Sequence, residues 1–150
     1  MKVSQKAITL IKHHEGVRNK PYKCPAGLFT VGVGHLIGDG KTLPPEWNRT
    51  FTNEEIDGLL KSDLRRFELG VSKMLPNVHL KQCEFDCLVC WSFNLGLGAF
   101  QRSTLRQALL RGDKEAAMES LMKYCKVGGK VLKGLENRRK DEKAMFLANY

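Results

Sequence analysis

From Val3 through Ala7, Ile8 and Ile11 the apolar residues fall on one helical face. Residues from about 3 to 14 therefore read as an amphipathic helix, and the next position on its stripe is Glu15. Gly16, Pro21, Pro25 and Gly27 then break the helical pattern. The alternation of Phe29, Val31 and Val33, interleaved with Gly32 and Gly34, predicts short strands joined by a tight turn, the one sheet expected in the chain. A loop rich in Gly and Pro runs from Gly38 to Asn48 and leads to Thr52, which can cap a helix whose Glu55 returns the hydrogen bond. That helix carries the stripe Ile56, Leu59, Leu60, Leu64, Phe67 and Val71, and Pro76 ends it. Further helices are expected at about 80 to 95, 102 to 111, 114 to 126 and 135 to 147, separated by Gly96-Leu97-Gly98, Gly112-Asp113 and Gly128-Gly129. The second half thus reads as all helix. With no internal repeat, low-complexity stretch or linker, the expected fold is α+β, mostly helical with a small antiparallel sheet, in one domain over residues 1–150.

Four polar residues occupy positions where the pattern calls for apolar ones: Glu15, Asp63, Asn94 and Arg138. Burying such groups costs several kcal/mol each unless they are paired, so grouping them around a shared cleft is one solution. Frayed helix ends and local ion pairs are the other. Cys83, Cys87 and Cys90 present a different ambiguity. Their spacing matches that of enzymes holding an iron-sulfur cluster for S-adenosylmethionine, yet positions i, i+4 and i+7 also share one helical face beside Leu80, Leu88 and Trp91. The second reading, cysteine as a small core residue, fits a short helical chain better.

Composition narrows the function classes. In 150 residues, 42% are hydrophobic and 27% charged, which suits a globular protein and excludes a disordered one. The net charge of +9 implies attraction to anionic polymers, among them nucleic acid, membrane surfaces and bacterial wall. Lys and Arg recur from Lys2 to Lys143 without a tract and without interleaved aromatics, so no nucleic-acid partner is expected. Five cysteines, an odd number, point to a reducing compartment, and the interrupted apolar residues at the N-terminus point to synthesis without an export signal and without stable membrane insertion.

The chemistry concentrates around His14-Glu15-Gly16, Pro21-Tyr22-Lys23-Cys24 and the run from Gly27 to His35. Here the chain resembles the phage-type lysozymes of glycoside hydrolase family twenty-four, whose motif is Glu, eight residues, Asp or Cys, five residues, Thr. Glu15, Cys24 and Thr30 match it. The resemblance extends through Thr52, the Asp63 helix, Phe93-Asn94-Leu95-Gly96, Gly98-Ala99-Phe100, Ser103-Thr104-Leu105 and Gly134-Leu135 before Arg138-Arg139. It implies a lysozyme-like fold with a sheet-bearing N-terminal lobe over about 12–60, a helical C-terminal lobe over about 61–150 plus the first helix, and a cleft between them. It implies hydrolysis of the β-1,4 bond between N-acetylmuramic acid and N-acetylglucosamine in peptidoglycan, by a monomer, with no cofactor and no metal. Glu15 would protonate the glycosidic oxygen, with Cys24 and Thr30 facing it where the attacking water sits. Arg138 would be the ion-pair partner of Glu15, and His35 and Asp63 a structural pair joining sheet to helix. Asn94 would line the sugar cleft, although a buried Asn bonded to backbone fits its position equally well. Ser103 and Thr104 read as helix caps rather than nucleophiles. The resemblance also implies an enzyme that waits in the host cytoplasm until a separate protein permeabilises the membrane.

Two expectations concern local chemistry. Glu15, ending a buried stripe, is expected to be partly desolvated. Cys24 stands where many relatives have Asp, and an ordinary thiol is mostly protonated at neutral pH. Lys20 and Lys23 are expected to favour its thiolate, and an ionised Glu15 to oppose it. Three roles are open: a thiolate that orients water, a nucleophile forming a thioglycoside, and an inert turn residue. Water activation is preferred, because a carbon-sulfur bond at the anomeric centre is released slowly.

Overall fold

The first helix, α1 (Gln5–Glu15), buries Ala7, Ile8 and Ile11 as its stripe requires, and ends where Gly16 turns the backbone at φ +79. The structure is a computed structural model that describes residues 1–150. By contacts the chain resolves into two units, Ile11–Arg65 and Met1–Leu10 with Arg66–Tyr150.

In the Ile11–Arg65 unit, β1 (Arg18–Lys23), β2 (Phe29–Gly32) and β3 (His35–Leu36) form an antiparallel sheet in the order β1-β2-β3. Val31 faces the core while its neighbours on β3 lead to Ile37, also buried. Gly32 is obligatory: its φ is +70, and a Cβ there would stand 3.0 Å from Ile56 Cδ1. A short 3-10 turn, Pro45–Trp47, precedes α2 (Asn53–Met74). The start of α2 is closed reciprocally, since Glu55 N–H donates to Thr52 Oγ1 at 3.1 Å and Thr52 N–H donates to Glu55 Oε1 at 3.0 Å. Ile11, Val31, Val33, Ile37, Phe51, Ile56, Leu60 and Leu64 are the buried apolar residues of this unit. Each contributes about 1.5–3 kcal/mol by burial.

The other unit is helical. It holds α3 (Gln82–Leu95), α4 (Leu97–Arg102), α5 (Thr104–Leu110), α6 (Lys114–Met122) and α7 (Lys133–Phe146), with α3 packed on α7 and α5 on α6. Cys83, Cys87, Cys90, Leu88 and Trp91 on α3 are at most 1% exposed, which makes this helix the centre of the core. Ser103 caps α5 by accepting from Arg106 N–H at 3.0 Å, and Asp113 caps α6 by accepting from Ala116 N–H at 3.0 Å. Asp86, fully buried, accepts from Ser4 N–H at 2.9 Å, from Gln82 Nε2 at 2.8 Å and from the Tyr150 hydroxyl at 2.7 Å, and it also binds the Ser4 hydroxyl.

The α+β expectation holds, with three corrections, the first being that α4 (Leu97–Arg102) occupies the Gly96-Leu97-Gly98 segment read as a separator. β1 was not expected as a strand, and the second half is not all helix: β4 (Lys126–Val127) and β5 (Lys130–Val131) form a hairpin around Gly128-Gly129. Both glycines have positive φ, +58 and +80, as a two-residue hairpin turn of the primed type requires. No helix is long and apolar enough to cross a membrane.

Candidate active site

Cys24 sits at the end of β1, where the chain reverses into β2. The reversal is closed by Cys24 N–H donating to Leu28 O at 2.9 Å and Gly27 N–H donating to Cys24 O at 2.8 Å. Thr30 lies on β2 opposite Tyr22, is 4% exposed, and donates its hydroxyl to Leu28 O at 2.9 Å. The Cys24 thiol is partly exposed, and its pKa is held below the usual thiol range. The backbone N–H of Leu28 is the main cause, with that of Ala26 and the Thr30 hydroxyl adding to it against partial burial. A hydroxyl has one proton, so Thr30 serves either the Leu28 carbonyl or the sulfur at any moment. The backbone N–H groups are the standing donors. The largest contributions to this shift come from the turn's own backbone rather than from Lys20 or Lys23, and the Lys23 ammonium lies 5.1 Å from the Phe29 ring centroid.

Glu15 is the last residue of α1 and is exposed. This corrects the expected desolvation. The stripe does reach Glu15, but the helix ends there and the next residue turns away, so the unit's apolar residues do not enclose it. Gly16 N–H donates to Lys12 O at 2.8 Å and closes the last turn, which also carries Lys12, His13 and His14.

On the same unit, His35 Nδ1 stands 2.8 Å and 3.1 Å from the two oxygens of Asp63. The His35 ring stacks on Trp47, with centroids 5.8 Å apart and planes within 12°. Trp47 and Phe51 line a surface pocket of about 620 Å³ together with Arg49, Glu55 and Leu59. Arg49 grips Glu55 with both terminal nitrogens, at 3.1 Å and 2.6 Å, and holds that carboxyl down to about 2.

Asn94 and Arg138 belong to the helical unit. Asn94 Oδ1 accepts from Arg139 Nη2 at 2.7 Å, and Arg139 also donates to Tyr124 O at 3.3 Å. Glu142, without exposure, stands 2.7 Å from Arg139 Nε and 3.5 Å from Arg138 Nε. Burial pushes the Glu142 carboxyl up to about 7, against the pull of both guanidiniums. Sequence reasoning singled out Arg138 and missed Arg139 and Glu142. No sequence signal separated this pair from a solvated i, i+3 ion pair on a helix surface.

The geometry therefore brings Cys24 to Thr30, His35 to Asp63 and Asn94 to Arg139, while Glu15, Cys24, Thr30, His35 and Asp63 all lie within Ile11–Arg65. Comparison with known proteins bears on what this arrangement does. The family model described as phage lysozyme matches residues 12–142. An endolysin of Bacillus phage B103 is 40% identical over 149 residues, covering 98% of this chain and 54% of the phage protein. An endolysin of Acyrthosiphon pisum secondary endosymbiont phage 1 is 36% identical over 154 residues and is matched over 98% of its own length. Among solved structures, a mutant of the lysozyme of phage P22 superposes with a TM-score of 0.86 at 35% identity, covering 98% of this chain and 99% of that one. The chain spans about half the length of the first two curated relatives it matches, 54% and 55%.

Proposed function

Because the chain belongs to the phage lysozyme family, we propose that it is an endolysin that hydrolyses the β-1,4 bond between N-acetylmuramic acid and N-acetylglucosamine in peptidoglycan. The observation that carries this reading is the Cys24 turn, where a motif position is occupied by a thiol whose charged form the surrounding donors favour. In the proposed reaction the Glu15 carboxyl gives its proton to the glycosidic oxygen as the bond from that oxygen to the anomeric carbon breaks. A water oxygen adds to the same carbon, and its proton passes to the Cys24 thiolate. Thr30 holds the water or the sulfur with its single hydroxyl proton. Transfer of a proton from Cys24 back to Glu15 through solvent resets the pair.

His35, Asp63 and Arg138 support the site without touching the reacting atoms in this reading, and Asn94, held by Arg139, meets the sugar. The partner is the glycan strand. The net charge of +9 draws the protein to an anionic wall. The protein acts as a monomer, made in the host cytoplasm and reaching the wall after a separate protein permeabilises the membrane.

The test is digestion of isolated peptidoglycan with the purified protein, followed by mass spectrometry of the products. Disaccharide-peptide fragments with N-acetylmuramic acid at the new reducing end are expected. Tight binding without new reducing ends would make the chain a non-catalytic wall binder, and fragments cut within the peptide stems would make it a different hydrolase.

A further inference from the structure

The β4–β5 hairpin serves nothing described so far. Residues 126–134 form an uninterrupted exposed run. Within it Val127 is 59% exposed, Val131 50% and Leu132 46%, three large aliphatic side chains in six residues. Lys123, Lys126, Lys130 and Lys133 flank them, and no Asp or Glu occurs between Lys123 and Lys133. Leu132 N–H donates to Cys125 O at 2.9 Å at the base of the hairpin, and two positive-φ glycines close its tip. Residues opposite each other on paired strands share a face, so Val127 lies with Lys130 and Val131 with Lys126. Each face of the hairpin therefore joins one aliphatic group to one ammonium.

Clustered exposed aliphatics mark an interaction surface, and the chemistry of this one selects among anionic partners. Single-stranded nucleic acids are bound through aromatic faces and Arg. Among its side chains the hairpin has no aromatic ring and no Arg. The nearest ring, Tyr124, is packed edge-on against Trp91 at 4.9 Å. Aliphatic groups between lysines suit an interface where acyl chains lie beneath anionic headgroups, with each lysine stem lying along the apolar surface and its ammonium in the headgroup layer.

We propose that the β4–β5 hairpin is an interfacial anchor for bilayers containing anionic phospholipid. The hairpin enters tip first, so that Val127 and Val131 on its two faces reach the acyl boundary with Leu132 behind them at the base, and Lys123, Lys126, Lys130 and Lys133 meet the headgroups. Each lysine near such a surface strengthens binding roughly fivefold at physiological ionic strength. The anchor is independent of the glycosidase reading and would operate in a chain that cleaves nothing.

The experiment is flotation of the purified chain with vesicles of equal parts phosphatidylglycerol and phosphatidylcholine, and with phosphatidylcholine alone, at about 0.15 M salt. Binding to the anionic vesicles alone is expected. Val127→Ser with Val131→Ser leaves the charge intact and is expected to weaken binding at least roughly tenfold without moving the melting temperature. Lys126→Gln with Lys130→Gln is expected to weaken it roughly twentyfold. Lys61→Gln with Lys73→Gln, which removes the same charge elsewhere, is expected to weaken it much less. Failure of the wild type to float, equal flotation of the valine variant, or equal loss in the two lysine pairs would each overturn the anchor. Tight duplex binding at the same salt, lost with Lys126 and Lys130, would assign the hairpin to nucleic acid instead.

Discussion

The two units treat the same side-chain chemistry in opposite ways. In Ile11–Arg65, Cys24 sits among backbone donors that favour its thiolate, and Arg49 holds the Glu55 carboxyl down to about 2. In the helical unit, burial drives the Cys87 and Cys90 thiols well above the ordinary range and lifts Glu142 to about 7. The Cys83 and Cys90 thiols act as hydrogen-bond donors to the carbonyls of Phe146 and Ala7, a use that needs the proton in place. Residue type alone therefore says little about reactivity. Where donors outweigh burial the charged form is available for chemistry, and where burial outweighs donors the group becomes part of the core.

The largest expected effect tests whether the chemistry lies on the unit that favours charge. Glu15→Gln keeps the shape and removes the transferable proton, so turnover of isolated peptidoglycan should fall at least about 10²–10⁴-fold. Its melting temperature should hold or rise, because Gln keeps the shape of a side chain placed for chemistry. Substantial residual turnover would remove Glu15 from the mechanism. Next in size, iodoacetamide on the native protein should modify Cys24 and leave Cys83, Cys87, Cys90 and Cys125 intact, with peptide mapping as the readout. Alkylation and Cys24→Ser should each remove most activity, whereas Cys24→Asp should retain much of it. Full activity in Cys24→Ser would leave the thiol as an inert turn residue.

The third test concerns stability. Because the Glu142 pKa is raised in the folded state, the unfolded chain loses that proton first, and the stability it contributes is complete below about pH 4.5 and is lost as pH rises to about 7. The span corresponds to roughly 3 kcal/mol. Urea unfolding of the wild type at both ends of that window should reveal this decline, and Glu142→Gln should lack it. An unchanged pH slope in the variant would show that Glu142 is ionised throughout. The smallest effect belongs to Glu55, whose lowered pKa makes its contribution complete above about pH 4.5 and lost as pH falls towards 2. Glu55→Gln should flatten the acid side of the melting curve slightly, and less so in high salt.

Most helices were legible from the face that needed burial, and the caps at Thr52 and Ser103 were legible because a single oxygen three residues before a free N–H has one obvious use. β1 was not. Its sequence from Arg18 to Lys23 is polar, contains Pro21 and pairs irregularly with β2 between Arg18 and Tyr22, so its conformation comes from the partner strand rather than from its own pattern. The β4–β5 hairpin was hidden for a related reason: two-residue strands carry no period, and only Gly128-Gly129 marks them. The cysteines of α3 were readable as core from their spacing. The burial of Glu142 was not, since a Glu following two arginines on a helix looks the same in water as in a core. Position in a motif pointed to Glu15, Cys24 and Thr30, but the donors that tune Cys24 are backbone groups, which every residue possesses and no sequence displays.

The carboxylate of Asp86 gathers Ser4, Gln82 and Tyr150, which has a consequence for connectivity. The Ser4 and Tyr150 hydroxyls bind the same oxygen, so those two side-chain oxygens lie within about 5 Å of each other, two hydrogen-bond lengths. One buried acceptor thus ties together segments that are far apart in sequence, so losing it loosens all of them at once.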